Sequence, residues 1–116
     1  MNKVIVYQKP TCTTCKKLNV ELERRGMRFE NVDYFLTPIP EKKILELIQK
    51  SGQTPETFLR KKEPKFKELQ LDQKKWDAHT VAALLARHPE LIERPIVECG
   101  AKAIVARPVE KVREIL

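Results

Sequence analysis

The chain has 116 residues, with 23 Lys and Arg against 16 Asp and Glu, for a formal charge of +7. That length fits one domain with one core and excludes two, and the positive balance suits an anionic substrate or partner, though most lysines simply belong to a solvated surface. Three cysteines exclude a secreted disulfide framework, the apolar run at the N-terminus is too short for a signal peptide, and no stretch approaches a membrane span.

The short apolar run Val4 to Tyr7 reads as a strand covered on both faces, the mark of a central, parallel strand. The chain breaks at Lys9-Pro10-Thr11. Thr13 to Arg25 then reads as a helix with Cys15, Leu18 and Leu22 on one stripe and Gly26 as its stop. Phe29 to Tyr34 reads as a second strand, which completes a β-α-β unit. After Pro38 and Pro40, Glu41 to Lys50 presents Ile44, Leu45, Leu47 and Ile48 as a helix, ended by Gly52. Thr54-Pro55 looks like a cap with a first-turn proline.

Leu59 to Lys75 is lysine-rich and weakly periodic, so short helical turns and loop are expected. Asp77 caps a helix that runs to His88, with Val81, Leu84 and Leu85 inward. Pro95-Ile96-Val97 and Ala103-Ile104-Val105 flank Gly100 in a hairpin pattern, and Pro108 opens a closing helix with Val109, Val112, Ile115 and Leu116 as its stripe. The expected fold class is α/β, ordered β-α-β then β-β-α. A single domain over residues 1–116 is expected, with a helical insertion over about 40–92.

In a reducing cytoplasm, the expected location, a Cys-x-x-Cys pair is catalytic, redox-sensing or metal-binding. Cys12 falls where the strand breaks and the helix begins. The dipole and free N–H groups of a helix N-terminus stabilise a thiolate there, with Lys9, Lys16 and Lys17 close in sequence, so Cys12 is read as a nucleophile rather than an inert buried cysteine. Cys15 lies one turn on. It is either a resolving thiol able to form a disulfide with Cys12 or a small apolar residue on the buried stripe.

Zinc would have to add Cys99, His79 and His88, scattered singly, and no metal site is expected. Cys99 closes a strand, or traps a mixed disulfide if it lies near the site. Arg60, Arg94 and Arg107 come from well-separated positions, and Arg94 and Arg107 each precede a proline, which favours extended backbone. Guanidinium forks recognise tetrahedral oxyanions bidentately. The few aromatics, Trp76 among them, do not interleave with basic residues as a nucleic-acid stacking platform would.

Tyr7 followed by Pro10-Thr11-Cys12, the run Phe58 to Pro64, His88-Pro89 leading into Glu93-Arg94-Pro95-Ile96-Val97, and Ala106-Arg107-Pro108 together resemble the ArsC family of thioredoxin-fold arsenate reductases. The resemblance spans essentially the whole chain. It implies a thioredoxin-like fold, Cys12 as the thiolate that attacks arsenate, and Arg60, Arg94 and Arg107 around the oxyanion. It also implies a cis Arg94–Pro95 peptide in which Pro95 has a structural role opposite the active cysteine. Electrons would come from glutathione as co-substrate, with glutaredoxin or thioredoxin, and no cofactor would be bound.

Glutaredoxin-coupled members tend to carry serine where this chain has Cys15, and arginine where it has Lys16. The Cys-x-x-Cys pair is shared with relatives similar to the Spx regulators, which sense oxidants and bind the RNA polymerase α subunit. Three readings therefore stand: a monomeric arsenate-type reductase, a glutathione-dependent thiol oxidoreductase of another substrate, and an Spx-like redox-sensing regulator.

Overall fold

The computed structural model describes residues 3–71 and 75–116; residues 1 and 2, and positions 72–74 of the lysine-rich stretch, lie outside the described part. Val4–Gln8 forms β1, and its side chains alternate between two cores, Val4 and Val6 on one side, Ile5 and Tyr7 on the other. That period of two is what a strand buried on both faces requires. Thr13–Arg24 forms α1, which turns Cys15, Leu18 and Leu22 inward. Phe29–Asp33 forms β2, parallel to β1 with Val4 opposite Phe29.

Two further strands complete the sheet. Ile96–Cys99 (β3) pairs antiparallel with β1, Val6 opposite Val97, and Lys102–Val105 (β4) pairs antiparallel with β3 across a turn in which Gly100 has φ +59°. A positive φ of this kind costs glycine nothing and a residue with a Cβ about 1 kcal/mol or more. The order is β2-β1-β3-β4, so β1 is central, parallel to one neighbour and antiparallel to the other. This is a thioredoxin-like α/β sheet.

Helices cover both faces. On one, Leu18 and Leu22 of α1 meet Val4, Val6, Val97, Ile104 and Val112. On the other lie Glu41–Ser51 (α2) and Ala78–Arg87 (α4), which bring Ile44, Leu47, Ile48, Val81 and Leu85 onto Tyr7, Ile96 and Val105. Between these helices run a 3-10 turn at Pro55–Phe58 and the short α3, Pro64–Glu68. Asp77 caps α4 by accepting the Thr80 N–H at 2.7 Å, and His88 ends it. A second 3-10 turn, Pro89–Leu91, leads back toward β3.

Two expectations are corrected. The segment after Pro108 is not an α-helix but a 3-10 helix, Val109–Glu114; its apolar residues recur every three positions, the period at which 3-10 side chains eclipse, and Val112 is buried in the α1-side core. The second strand stops at Asp33. The Asp33 side chain accepts the Phe35 N–H at 3.0 Å and its carbonyl accepts the N–H groups of Leu36 and Thr37, an Asx-type turn that removes Tyr34 from the strand. Cys99 is the last residue of β3, half-buried against the α1-side core.

One buried polar cluster ties α2 to the hairpin. Glu98, 4% exposed, accepts the Tyr7 hydroxyl at 2.9 Å and the Lys43 ammonium at 2.7 Å, and also pairs with Lys50. Lys50 reaches on to the Gly100 carbonyl at 2.9 Å. Among the described residues no helix is long and apolar enough to cross a membrane.

Candidate active site around Cys12 and Arg94

β1 ends at Gln8, and the chain turns through Lys9, Pro10 and Thr11 with the Cys12 N–H on the Lys9 carbonyl at 2.9 Å. That turn makes Cys12 the N-cap of α1, extended at φ −77° and ψ 122°. A cap side chain normally offers oxygen to the free N–H groups of the first turn. Here sulfur takes that place, and Cys12 Sγ accepts the Cys15 N–H at 3.4 Å. The same N–H groups that favour an oxygen acceptor favour a thiolate over a thiol.

Arg94 completes the pair from the other end of the fold. It precedes β3, its peptide bond to Pro95 is cis, and only 8% of its surface is exposed. The guanidinium lies against the Cys12 sulfur and the Tyr34 hydroxyl. Burial alone would push the Cys12 thiol up. Hydrogen bonds from the Cys15 thiol and backbone N–H, with the charge and hydrogen bond of Arg94, outweigh it and hold Cys12 below the ordinary thiol range.

Cys15 behaves oppositely. It is 1% exposed, and burial together with the hydrogen bond it gives to Cys12 pushes its thiol up to about 12. The two thiols are thus pushed in opposite directions, Cys12 down and Cys15 up, and both are free cysteines. The lysines contribute less than their spacing suggests: Lys16 and Lys17 are exposed on α1, and the Lys9 ammonium sits 4.9 Å over the Phe35 ring. The influences that lower the Cys12 thiol come from the helix terminus and from an arginine 82 positions away.

Arg60 and Arg107 are brought beside Arg94 rather than onto the sulfur. An antiparallel bridge joins Leu59 to Ile92, with the Arg60 N–H on the Leu91 carbonyl and the Glu93 N–H on the Phe58 carbonyl, both at 2.8 Å. This places Arg60 Nη1 3.1 Å from Glu93 Oε1. Arg107, which also precedes a cis proline, donates from Nη1 to the Arg94 carbonyl at 3.2 Å and brings its Nε to 3.9 Å from the same Glu93 oxygen. The Nε atoms of Arg60 and Arg94 are buried without a hydrogen-bond acceptor. Arg60 Nε has only the Glu63 carboxylate near it, at 3.9 Å. Buried donors are normally paired, so these arginines keep unsatisfied N–H groups of the kind that suits an oxyanion, and those of Arg94 lie near Cys12.

Two members of the cluster, Glu93 and Tyr34, are outside the set proposed from sequence. Glu93 gathers the flanking arginines, and only its position next to Arg94 hinted at it. Tyr34 is fully buried, donates to the Ile92 carbonyl at 3.3 Å and lies against Arg94, while burial pushes its phenol up. Gln8, 7% exposed at the end of β1, accepts from Asn19 at 3.3 Å. Among the described residues no three His, Cys, Asp or Glu side chains gather as a metal ion would need.

The sequence matches the ArsC family over residues 7–115. The chain belongs to the ArsC family. An arsenate reductase of Neisseria meningitidis is 32% identical to this ArsC-family chain, over the full length of both. An uncharacterised Escherichia coli protein, YfgD, is 30% identical over 98% of this chain and 97% of its own length. Among solved structures, an arsenate reductase from Vibrio cholerae superposes with a TM-score of 0.90 at 34% identity, covering 99% of this ArsC-family chain and 98% of its own. The match includes Cys12, Arg60, Arg94 and Arg107 within its span.

Proposed function

We propose that this protein is a thiol-dependent reductase of arsenate or a similar tetrahedral oxyanion, with Cys12 as nucleophile and Arg60, Arg94 and Arg107 as the oxyanion-binding set. One observation carries the reading: the capping sulfur of α1 lies against a buried arginine whose Nε has no acceptor. Family membership and the arsenate reductases among the relatives support it.

In the proposed cycle the Cys12 thiolate attacks arsenic, a Cys12 Sγ–As bond forms, and an arsenate hydroxyl leaves with a proton as water. A second thiolate then attacks Cys12 Sγ. The electron pair of the S–As bond passes to arsenic, arsenite departs, and a disulfide to Cys12 remains; two thiols are oxidised as As(V) becomes As(III). The second thiol is glutathione, with glutaredoxin or thioredoxin completing the reduction, or Cys15. Cys15 is suited to act late: one cause of its raised value is the negative charge on Cys12, which vanishes when Cys12 is bound to arsenic. All the electrons come from thiols, so the chemistry asks for no resident cofactor.

The test is arsenate-dependent NADPH oxidation, run first with glutathione, glutathione reductase and glutaredoxin, then with thioredoxin and its reductase. Turnover in either coupling is expected. Silence in both overturns the reading, and capture of RNA polymerase in a pull-down would then favour the regulator.

A further inference from the structure

Glu93 stands among the arginines with its contacts on one oxygen. Glu93 Oε1 is 3.1 Å from Arg60 Nη1, 3.3 Å from the Arg94 N–H and 3.9 Å from Arg107 Nε. The side chain is held there by its backbone, since the Glu93 N–H is bonded to the Phe58 carbonyl within the Leu59–Ile92 bridge. It is 19% exposed, well enough shielded for its charge to be felt at short range and open enough to be displaced. Its negative charge offsets one of three guanidinium charges, and a second carboxylate, that of Glu63, stands 3.9 Å from Arg60 Nε without reaching Arg107. Arg94 keeps its side chain for Cys12 and Tyr34, so Arg60 and Arg107 are the arms that Glu93 occupies.

We propose that Glu93 is a built-in counter-anion of the oxyanion site, which an incoming oxyanion must displace from Arg60 and Arg107, so that Glu93 determines how tightly the site holds its ligand. This rests on the reading that the three arginines bind an oxyanion. Glu93 acts through the arginines and sets the site's affinity for its anion; it is not a catalytic residue. The charge logic fixes the sign: a carboxylate whose only task was to position the arginines would weaken anion binding when removed, whereas a competing carboxylate strengthens it. A site that holds its anion loosely also releases a bound competitor such as phosphate, which has the same tetrahedral shape.

The experiment measures protection of Cys12 from iodoacetamide by arsenate, and in parallel by inorganic phosphate, in wild type and in Glu93→Gln and Glu93→Asp, with labelling of Cys12 read by mass spectrometry. Glu93→Gln keeps an acceptor oxygen for Arg60 and the Arg94 N–H but removes the charge. Its half-protecting arsenate and phosphate concentrations are expected to fall about tenfold, the scale of one unit charge acting at short range in a partly shielded site. Glu93→Asp keeps the charge and should stay near wild type. An equal or weaker midpoint in folded Glu93→Gln overturns the proposal. Absence of protection in the wild type would instead strike the oxyanion reading itself.

Discussion

Replacing Glu98 by glutamine removes a buried charge while keeping the side-chain shape, and the structure fixes what should be lost. Two ammonium groups, Lys43 and Lys50, and the Tyr7 hydroxyl meet on this carboxylate. Hydrogen bonds to a charged group contribute about 1.5–3 kcal/mol each, and removing one member of a buried pair costs about 3–5 kcal/mol. The lysine side chains are 33% and 22% exposed, so water recovers part of that. Glutamine also still accepts from Tyr7. A net cost of about 2–3 kcal/mol follows, a large share of the roughly 5–15 kcal/mol typical of a domain.

Urea unfolding at neutral pH measures it, as a midpoint lowered by about 1–2 M for an ordinary slope. The pH dependence supplies a sharper check. Burial pushes the Glu98 carboxyl up, but Lys43, Lys50 and Tyr7 outweigh it and hold it below the ordinary carboxylate value. Its stabilisation is therefore fully present above the unfolded value of about 4.3 and is lost as pH falls through the lower folded value. The gap between wild type and Glu98→Gln should narrow in acid. A gap below about 0.5 kcal/mol at neutral pH, or one that widens in acid, would refute the argument.

The site predictions are read in reactivity. Cys12→Ser should abolish arsenate-dependent thiol oxidation in the coupled assay, while Cys15→Ser should keep much of it wherever external glutathione resolves the intermediate; total loss in Cys15→Ser would establish an internal disulfide cycle. Arg94→Ala should raise the pH at which Cys12 becomes reactive to iodoacetamide, and an unchanged profile would count against the Arg94 contact. Cys15→Ala should shift that profile in the same direction through loss of the thiol donor, and Cys15→Ser, which keeps a hydroxyl donor, should shift it less.

What could be read from the sequence was local. Val4 to Tyr7, the helix that follows, the Asp77 cap and the Gly100 hairpin all announce themselves through neighbours a few positions away, because periodicity and capping are short-range effects. The 3-10 helix after Pro108 is not legible in this way, because Val109, Val112 and Ile115 fit a tight three-residue repeat as well as an α-helical stripe. The cause of the lowered Cys12 thiol is half legible. The helix terminus follows from Pro10-Thr11-Cys12, but closeness in sequence does not aim an ammonium at a sulfur, and the charge that meets Cys12 is that of Arg94. Tyr7 and Glu98 are 91 positions apart, and Arg60 and Glu93 are 33 apart. No pattern within either segment tells which acidic side chain an arginine will meet. Such pairings emerge only once β3 has come to lie beside β1 and the Leu59–Ile92 bridge has closed.

That bridge has a consequence for how the chain tolerates change. Between Arg60 and Glu93 the backbone makes an excursion through α3 and α4 and returns to the point it left, pinned by two 2.8 Å hydrogen bonds at its neck. The entropy of closing a longer loop grows only slowly with its length. Residues can therefore be gained, lost or exchanged in the loop between α3 and α4 while the neck keeps its geometry, and the distance from Arg60 to Glu93 stays set by two strand-like residues rather than by the 32 between them. In this fold the exposed outline of the helical block can change without disturbing the charges it delivers, while its buried Phe66, Val81 and Leu85 stay committed to the core.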